Sequence, residues 1–363
     1  MKIVAVTGPF LPDIGGVQNY IQQIGSRLVD RGHEVTVFAH RTSPDLADED
    51  CFSGVNVRRF DIRFARSHQY SVPMQRAVAK AAAHADVVHV HNLITYYAFR
   101  SASITSAPVV INPHYHGMPG REGALAGRYR YPLSYAYKRF SSIIFSSSAE
   151  RARVVADLGP LPCPTTVISP AVHPDIATWP ARPNPRPFVL SVGRLVPHKR
   201  VDLLVRAVGL AAPLELVIIG SGPERGTLEA LIDELQLRDR VRFETADSDE
   251  DLWAWMRAAT VVASLSTEEA FGMVLAEGVA AGCLIVATDL AAHAEAAASC
   301  PDHDVGWVGI GAAPQEVAKV LTGAMHRGRF DGGRSVPTWN DACDATEQWY
   351  ADIVKQFESR LRS

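Results

Sequence analysis

Short apolar runs alternate with helical stretches along this chain, and each run has the length of a buried strand. The first, Lys2 to Thr7, is rich in β-branched residues and leads into a loop that contains Gly15 and Gly16. Apolar residues then recur at helical spacing up to Gly32, a residue type that suits the position after a helix. A second strand follows at Val35 to Ala39. This order predicts an α/β fold with parallel strands, whose loops at the carboxyl ends bind ligands.

The strand–helix order occurs twice and is interrupted once. Residues 174–187 carry five prolines and little apolar periodicity, which is typical of a linker. Because a chain of 363 residues exceeds what one core usually supports, we expect two domains. We predict an N-terminal domain at residues 1–173 and a C-terminal domain at residues 188–338. Residues 339–363 form one predicted terminal helix that packs back on the N-terminal domain.

The composition argues against several classes of protein. Five cysteines occur without any C-x-x-C spacing, so neither a disulfide framework nor a zinc finger is predicted. The formal net charge of -3 is not that of a nucleic-acid-binding protein. The apolar run at the start is too short for a signal sequence, and no later run reaches the roughly 18 apolar residues of a membrane span. We therefore expect a cytoplasmic protein with no nucleic-acid partner.

Two loops carry residues that suit an anionic ligand. In the first, Gly15 and Gly16 lie where a strand gives way to a helix, so backbone N–H groups and the helix dipole can bind a phosphate. A plain tight turn is the alternative. In the second, Arg194 and Lys199 follow a strand that ends at Gly193. Such paired cations suit a diphosphate, and two solvated surface charges are the alternative.

A third loop leads into a predicted helix that begins near Phe271 or Gly272. Glu269 precedes this helix, and Glu277 lies eight residues later, two turns along it. Backbone N–H groups at a helix start can hold an anion, while the two carboxylates accept hydrogen bonds from hydroxyls. This combination suits a sugar nucleotide, and a core-facing helix with one exposed glutamate is the alternative. The candidate backbone donors are Phe271, Gly272, Met273 and Val274.

Two pairs of histidines follow apolar runs in the N-terminal half. His89 and His91 lie in VVHVHN, and His114 and His116 lie in VINPHYHG. The side chains of an H-x-H pair face one way in an extended segment, which permits two metal ligands. Since no carboxylate or cysteine nearby completes a set, we predict no metal site. Polar residues at strand ends are the preferred interpretation.

Taken together, the loops resemble those of one known family. In this order along the chain, the segments GGVQNYIQQIGSRLVDRGHEVTVFA, GRLVPHKRVDLL, LVIIGSGPERGTLEAL and EAFGMVLAE are similar to motifs of the retaining, nucleotide-sugar-dependent glycosyltransferases of family four. The resemblance covers nearly the whole chain. It implies the GT-B fold, an α/β fold in which two Rossmann-like domains with parallel sheets face a cleft. It also implies front-face transfer of a hexose or amino-hexose from a nucleotide diphosphate sugar, with a UDP-sugar favoured over GDP-mannose and with neither a metal nor another cofactor.

The resemblance implies roles for the charged residues of the C-terminal half. Arg194 and Lys199 neutralise the donor diphosphate as it leaves. Glu269 holds hydroxyls of the transferred sugar, and Glu277 binds the ribose hydroxyls. Backbone amides of residues 271–274 contact the sugar and the phosphates.

In the N-terminal half the resemblance implies that Gly15 and Gly16 approach the diphosphate. His114 contacts the donor sugar and stabilises positive charge near the reacting carbon. The implied catalytic residues are therefore His114, Glu269, Arg194 and Lys199. The residues expected to line the acceptor pocket are His89, His91, Asn92 and His116.

The acceptor is a hydroxyl of a small molecule, a glycan or a lipid-linked compound. Residues 121–139, in which arginines alternate with tyrosines, are either an acceptor-binding or membrane-surface element or a solvated helix. The solvated helix is favoured over membrane contact. Four residues stand where glycines are frequent in the family, namely Ala171, Thr245 and the pair Ala291–Ala292. These departures bear on the identity of the donor more than on the fold.

Three other functions are alternatives to glycosyl transfer. A sugar-nucleotide epimerase on the same fold and a non-catalytic sugar-nucleotide-binding protein are disfavoured by the charged loops. A dinucleotide-dependent oxidoreductase is disfavoured because Gly220, Gly222 and Gly226 do not fit G-x-G-x-x-G.

Overall fold

The computed structural model describes most of the chain. The described residues are 1–13, 15–62, 71–92, 100–101, 103–104, 106–117, 137–184, 186–300, 304–330 and 336–362. The chain forms two compact units, the first made of Met1–Pro170 with Trp339–Ser363 and the second of Ala171–Thr338. Each unit is an α/β domain with its own largely parallel sheet, so the predicted fold class is confirmed. Of the segment 121–139, residues 121–136 lie outside the described residues.

The first unit contains a sheet whose described strands are β1 (Lys2–Val6), β2 (Glu34–His40), β3 (Glu49–Phe52), β4 (Val55–Phe60), β5 (Val87–His91), β6 (Val109–Asn112), β7 (Ser142–Phe145) and β8 (Thr165–Val167). Their spatial order is β3-β4-β2-β1-β5-β6-β7-β8. Neighbouring strands are parallel except β3 and β4, which are antiparallel. The described helices of this unit are α1 (Gly16–Asp30), α2 (Val72–Ala82), α3 (Ser148–Leu158) and, at the end of the chain, α10 (Trp339–Arg362).

Capping residues account for the ends of several helices in the first unit. Ser71 precedes α2, and its hydroxyl accepts a hydrogen bond from the Met74 N–H at 3.4 Å. Ser147 precedes α3, and its hydroxyl accepts a hydrogen bond from the Glu150 N–H at 2.9 Å. After α1 the chain turns at Gly32, which has φ +85° as expected of a glycine in this position.

The two faces of the first sheet differ in chemistry. On one face Val88 and Val90 of β5 belong to an apolar cluster with Met74 of α2. On the other face the alternate residues of β5, His89 and His91, contact aromatic side chains of α10 and α1. Polar groups therefore lie inside this unit and need partners there.

The second unit contains a sheet whose described strands are β9 (Val189–Val192), β10 (Leu216–Ile219), β11 (Val241–Glu244), β12 (Val261–Ser264), β13 (Leu284–Thr288) and β14 (Val305–Val308). Their order is β11-β10-β9-β12-β13-β14, and all neighbours are parallel. The described helices are α4 (Val201–Leu210), α5 (Arg225–Glu234), α6 (Asp249–Ala258), α7 (Met273–Ala280), α8 (Ala291–Ala296) and α9 (Pro314–Arg327). One apolar cluster lies on each face of this sheet.

The predicted linker at residues 174–187 packs as part of the second unit, so the boundary lies after Pro170 rather than after residue 173. Ile176 is buried in an apolar cluster of this unit. Trp179 makes an edge contact with Trp253 at 5.4 Å between ring centroids, and Arg182 donates to Asp251 at 2.7 Å. The prolines favour an irregular backbone in this segment, but the apolar and aromatic residues between them pack against the second unit.

The terminal helix α10 belongs to the first unit, where it packs against α1. Polar contacts accompany this packing. Arg27 Nε donates to Asn340 Oδ1 at 2.9 Å. Arg31 Nη1 donates a hydrogen bond to Glu347 Oε2 at 2.8 Å, and His33 Nε2 lies 2.8 Å from Glu347 Oε1. The end of the chain is thereby joined to the first helix of the fold.

The glycines of GSGPERG allow two loops of the second unit to touch through their backbones. Gly220 and Gly222 have φ +156° and +154°. A Cβ at Gly220 would overlap the carbonyl oxygen of Gly193, and one at Gly222 would lie 2.8 Å from backbone atoms of Leu195. The Leu195 N–H donates to the Ser221 carbonyl at 2.8 Å. These two glycines therefore allow the loop after β10 to pack closely against the loop that carries Arg194.

We predict that Gly220→Ala lowers the free energy of unfolding of the second unit by about 1–3 kcal/mol or more, because the methyl group adds an overlap to a strained backbone. Chemical denaturation measures this change. Gly226→Ala is the matched control, since Gly226 lies in α5 and a Cβ added there would meet no atom within 4 Å among the described residues. An alanine there should stabilise the helix by about 0.5–1 kcal/mol. Equal effects of the two substitutions would contradict this account.

Candidate functional site

In the second unit, the loop after β9 carries the predicted cations. It runs through Gly193 and Arg194 to a single turn of 3₁₀ helix at Pro197–Lys199, and α4 begins directly afterwards. The backbone N–H of Thr267 donates to the His198 carbonyl at 2.8 Å. This hydrogen bond ties the loop after β9 to the loop after β12. Both loops lie at the carboxyl ends of neighbouring parallel strands, where ligands bind in such sheets.

Lys199 and Glu269 form an ion pair between Nζ and Oε1 that joins these two loops. Their side chains are 22% and 11% exposed, so the pair is largely withdrawn from water but still reachable. Ser266 Oγ also donates to Glu269 Oε1, at 3.1 Å. The Ser266 carbonyl in turn accepts a hydrogen bond from Thr288 Oγ1 at 2.5 Å. The carboxylate is thus held by side chains from two loops, and Thr288 at the end of β13 supports one of these loops.

Arg194 belongs to the same cluster of charges. The pKa of the neighbouring His198 is lowered, first by burial and then by the positive charges of Lys199 and Arg194. The carboxylates of Glu268 and Glu269 act on the same imidazole in the opposite direction. The structure therefore brings together Arg194, Lys199 and Glu269, the residues that the sequence analysis assigned to a diphosphate-sugar site.

The start of α7 offers backbone donors beside this cluster. Gly272 precedes the helix in the left-handed region, with φ +106°, and no described side chain caps the N–H groups of the first turn. A Cβ at Gly272 would lie 3.0 Å from the ring of His293, so glycine also permits close packing here. Met273 and Val274 are partly exposed at the first turn, and Phe271 is buried. A helix start of this kind binds anions.

Glu277 lies in α7 and has a different environment from Glu269. It is partly exposed, but its carboxyl is surrounded by protein, and burial raises its pKa to about 8, with a smaller contribution from the charge of Asp249. Burial also raises the pKa of Asp249. The two predicted glutamates therefore differ in environment, because Glu269 is paired with a lysine while the carboxyl of Glu277 is buried and feels the charge of Asp249.

In the first unit, the predicted glycine loop leads into α1 as expected. Gly15 is extended and precedes Gly16, the first residue of the helix. The carbonyl of Gly15 accepts the first helical hydrogen bond, from Asn19 at 2.9 Å. Among the described residues, none caps the first turn with its side chain, and the turn itself contains no acidic residue. Its backbone donors are therefore available to an anion.

His114 lies just after β6 with φ +46°, a left-handed conformation that is uncommon for a residue with a side chain. Its Nε2 is 3.2 Å from Nδ1 of His91, and its Nδ1 is 3.5 Å from Ser146 Oγ. Burial lowers its pKa to about 3, with smaller contributions from the charges of His89 and His116. At neutral pH His114 is therefore an uncharged imidazole.

The four residues predicted to line the acceptor pocket have different environments. His89 uses both ring nitrogens inside the unit, with Tyr350 Oη at 2.5 Å and Asn112 Oδ1 at 2.9 Å. His91 is also buried. Alternation along β5 turns both rings into the unit, where His89 and His91 are buried. Asn92 is partly exposed at the strand end with φ +74°, and His116 is exposed.

A polar cavity of about 590 Å³ in the first unit was not predicted from the sequence. It lies where β2 and β4 end. Arg59 is almost completely buried, and its guanidinium donates to the Leu11 carbonyl at 2.6 Å. The signal in the sequence was a pair of adjacent arginines within a strand. The cavity is lined by Arg41, Asp48, Glu49, Arg58, Arg59, Phe60, Asp61 and Pro73.

Two features are missing from the described residues. Among them, no cluster of three or more His, Cys, Asp or Glu side chains is arranged to hold a metal ion. None of the helices in the described part of the chain combines the length and hydrophobicity needed to cross a membrane.

Two family models match adjacent parts of the chain. The model described as Glycosyltransferase Family 4 matches residues 14–176, and the model described as Glycosyl transferases group 1 matches residues 176–327. Among curated relatives, a human phosphatidylinositol N-acetylglucosaminyltransferase subunit is 25% identical over 79% of this chain, which spans 62% of that protein. The D-inositol 3-phosphate glycosyltransferase of Mycolicibacterium smegmatis is 28% identical over 97% of this chain and 89% of its own length.

Solved structures of similar fold cover almost the whole chain. Sucrose-phosphate synthase from Thermosynechococcus elongatus matches with a TM-score of 0.75 at 17% identity, over 98% of this chain and 99% of its own. Anabaena HepE in complex with UDP matches with a TM-score of 0.70 at 18% identity, over 100% of both chains. WaaG, a glycosyltransferase involved in lipopolysaccharide biosynthesis, matches with a TM-score of 0.70 at 19% identity, over 98% of this chain and 94% of its own.

The raised pKa of Glu277 predicts a pH-dependent stability. Its folded pKa of about 8 exceeds the ordinary value of 4.5. Between these pH values the unfolded chain loses the proton while the folded chain keeps it, so this group destabilises the fold increasingly as pH rises. Glu277→Gln removes the effect. We expect the Tm of the variant minus that of the wild type to rise from about pH 5 to about pH 8 and then to level off.

Thermal unfolding across this pH range, without nucleotide, measures the difference. Glu316→Gln is the matched control, because Glu316 is an exposed residue of α9. A difference for Glu277→Gln that does not change with pH would contradict the raised pKa.

Proposed function

Because this chain belongs to the glycosyltransferases of family-four type with the GT-B fold, we propose that it transfers a hexose or amino-hexose from a nucleotide diphosphate sugar to an acceptor hydroxyl. We propose further that transfer retains the anomeric configuration and needs no metal ion. The observation that carries the proposal is the Lys199–Glu269 ion pair beside the uncapped start of α7. This arrangement brings together a cation, a carboxylate that can accept hydrogen bonds from sugar hydroxyls, and backbone N–H groups that can donate hydrogen bonds.

The cluster has groups that can bind both the diphosphate and the sugar, the two parts joined by the bond that breaks. Arg194 and Lys199 neutralise the diphosphate as it becomes the leaving group, and the N–H groups of Met273 and Val274 contact its oxygens. Glu269 accepts hydrogen bonds from hydroxyls of the transferred sugar, and Glu277 binds the ribose. Preorganised charges of this kind stabilise a transition state because they need no rearrangement as charge develops. With two cations at the leaving group, a metal ion is not required for that step.

We propose a front-face course for the reaction. The bond between the anomeric carbon and the phosphate oxygen breaks, and the electron pair leaves with the nucleotide. The acceptor oxygen bonds to the same face of the carbon, and its proton passes to the departing phosphate. For the first unit we propose that the N–H groups at the start of α1, from Gly16 on, bind phosphate oxygens and that the neutral His114 contacts the donor sugar.

A UDP-sugar is the donor that we propose first, and GDP-mannose is second. One structural neighbour is a complex with UDP, which supports a uridine nucleotide. Ala291 and Ala292, which replace paired glycines frequent in the family, are the first two residues of α8, and we propose that the transferred sugar is a hexose or an amino-hexose.

For the acceptor, we propose a hydroxyl-rich compound that carries phosphate. Several relatives are named as D-inositol 3-phosphate glycosyltransferases. The polar cavity of the first unit contains three arginines together with the carboxylates of Asp48, Glu49 and Asp61, so its formal charges balance. Guanidinium groups suit a phosphate, and carboxylates suit neighbouring hydroxyls. A small acceptor is thereby favoured, with glycan and lipid-linked acceptors as the alternatives.

We predict that a UDP-sugar raises the Tm of the protein more than GDP-, dTDP- or ADP-sugars do, whereas NAD has no effect. A ligand at about 100 times its Kd stabilises the folded state by about 2.7 kcal/mol. A thermal-shift series measures this directly. A shift with NAD but with none of the nucleotide sugars would refute the proposal. Nucleotide release that depends on an added acceptor then separates a transferase from an epimerase or a binding protein.

We predict that Lys199→Ala and Glu269→Gln each lower kcat by about 100- to 1000-fold, because each removes a charge that acts on the reacting groups. Lys319→Ala and Glu316→Gln are the matched controls on exposed positions of α9 and should keep wild-type turnover. Each variant is first checked for a cooperative thermal transition, since breaking the ion pair also affects folding. Wild-type turnover in both site variants would show that this cluster is not the active site.

A further inference from the structure

Three histidines meet in the first unit, two from β5 and one from the loop after β6. His89 and His91 lie on the same face of β5, and Asn112 of β6 is the register partner of His91. His114 follows two residues after Asn112. The ring centroids of His89 and His91 are 4.1 Å apart, and those of His91 and His114 are 5.5 Å apart with nearly parallel planes. His91 is therefore the central ring of a row of three.

Helices on the same side of the sheet enclose this row. Tyr20 of α1 lies with its ring centroid 6.0 Å from that of His91 and 5.7 Å from that of His114. Trp339, at the start of α10, contacts Tyr20 at 5.9 Å. The hydroxyl of Tyr350, also in α10, meets His89. The row is thus held by the first and the last helix of the chain.

The hydrogen bonds at one end of the row show which ring nitrogen of His89 carries the proton. Its Nε2 faces Asn112 Oδ1 at 2.9 Å, and a carbonyl oxygen only accepts, so Nε2 carries the proton. Its Nδ1 therefore accepts from the Tyr350 hydroxyl at 2.5 Å. Burial lowers the pKa of His89 to about 4 and that of His91 well below its usual value. The rings are neutral at pH 7, and each carries one N–H.

The other end of the row concerns His114. Its Nε2 and the Nδ1 of His91 lie 3.2 Å apart, so one of these neutral rings donates and the other accepts. Its Nδ1 makes a longer contact of 3.5 Å with Ser146 Oγ. His114 also has an uncommon positive φ, a backbone conformation that the surrounding structure must stabilise.

We propose that His91 is a positioning residue for His114: it binds His114 Nε2 and so leaves Nδ1 as the nitrogen that meets the donor sugar. His89, fixed by Tyr350 and Asn112, packs against the His91 ring. The inference rests on the proposed function, because that function brings a donor sugar to His114. It assigns to the buried histidines a task other than lining the acceptor pocket.

Two variants of nearly equal shape test the role of His91. The amide of His91→Asn lies where Nδ1 lay and can still meet His114 Nε2, whereas His91→Leu cannot. We expect His91→Leu to lower kcat by about 10- to 100-fold, because a misplaced group beside the reacting atoms costs this much. The KM for the donor should stay within about twofold, since binding of the nucleotide is unaffected. His91→Asn should recover most of kcat.

His84→Leu, at an exposed position after α2, is the control for the loss of an imidazole and should match the wild type. If His91→Leu fails to fold, His91→Gln replaces it, because the amide of Gln lies where Nε2 lay and does not reach His114. Equal kcat values in His91→Asn and the variant that lacks the contact would overturn the proposal, as would a loss confined to KM.

Ring ¹⁵N chemical shifts of His114 provide a second measurement that does not depend on turnover. In the wild type we expect one tautomer, and in His91→Leu a change of tautomer or a mixture. An unchanged His114 spectrum in His91→Leu would overturn the proposal. If no nucleotide sugar binds, the proposed function fails instead, and the ¹⁵N comparison still decides whether His91 holds His114. Wild-type turnover in His114→Ala would leave the proposed function standing and would overturn the role of His114 and with it this proposal.

Discussion

Both sheets are covered by helices on two faces, and this burial governs where polar chemistry can occur. A parallel strand that is buried on both sides leaves its polar groups few partners except in the backbone ladder. Reactive side chains therefore collect in the loops at the carboxyl ends. In the second unit, the loops after β9 and β12 follow neighbouring strands, so Lys199 and Glu269 meet although 70 residues separate them.

The histidines of β5 are an exception to this arrangement. His89 and His91 lie within a buried strand, where an unpaired imidazole would be costly. Tyr350 and Asn112 satisfy His89, and the loop residue His114 meets His91. The last helix of the chain thus supplies a partner to a strand near the beginning. A buried polar row of this kind holds its members in one geometry, which suits a residue beside a reacting carbon.

In the second unit, two glycines allow two loops to pack closely through their backbones. In the sequence, Gly220 and Gly222 are a phosphate-loop candidate that lacks the required spacing. In the fold they let the loop after β10 touch the loop that carries Arg194, where a side chain would overlap Gly193 or Leu195. Their effect on a ligand is therefore indirect, through the position of the neighbouring loop.

The sequence by itself determined the α/β class, the alternation of elements and the loops with Arg194, Lys199 and Glu269, because these depend on local periodicity and on the order of strands. It placed a linker at residues 174–187, but Ile176 and Trp179 found a surface to bury, which local composition does not reveal. Only the tertiary structure decided that Glu269 pairs with Lys199 while Glu277 faces Asp249, and that His89 and His91 point into the unit. Such facts depend on contacts between residues far apart in the chain, and burial by those contacts raises the pKa of Glu277 and lowers the pKa values of His89 and His91.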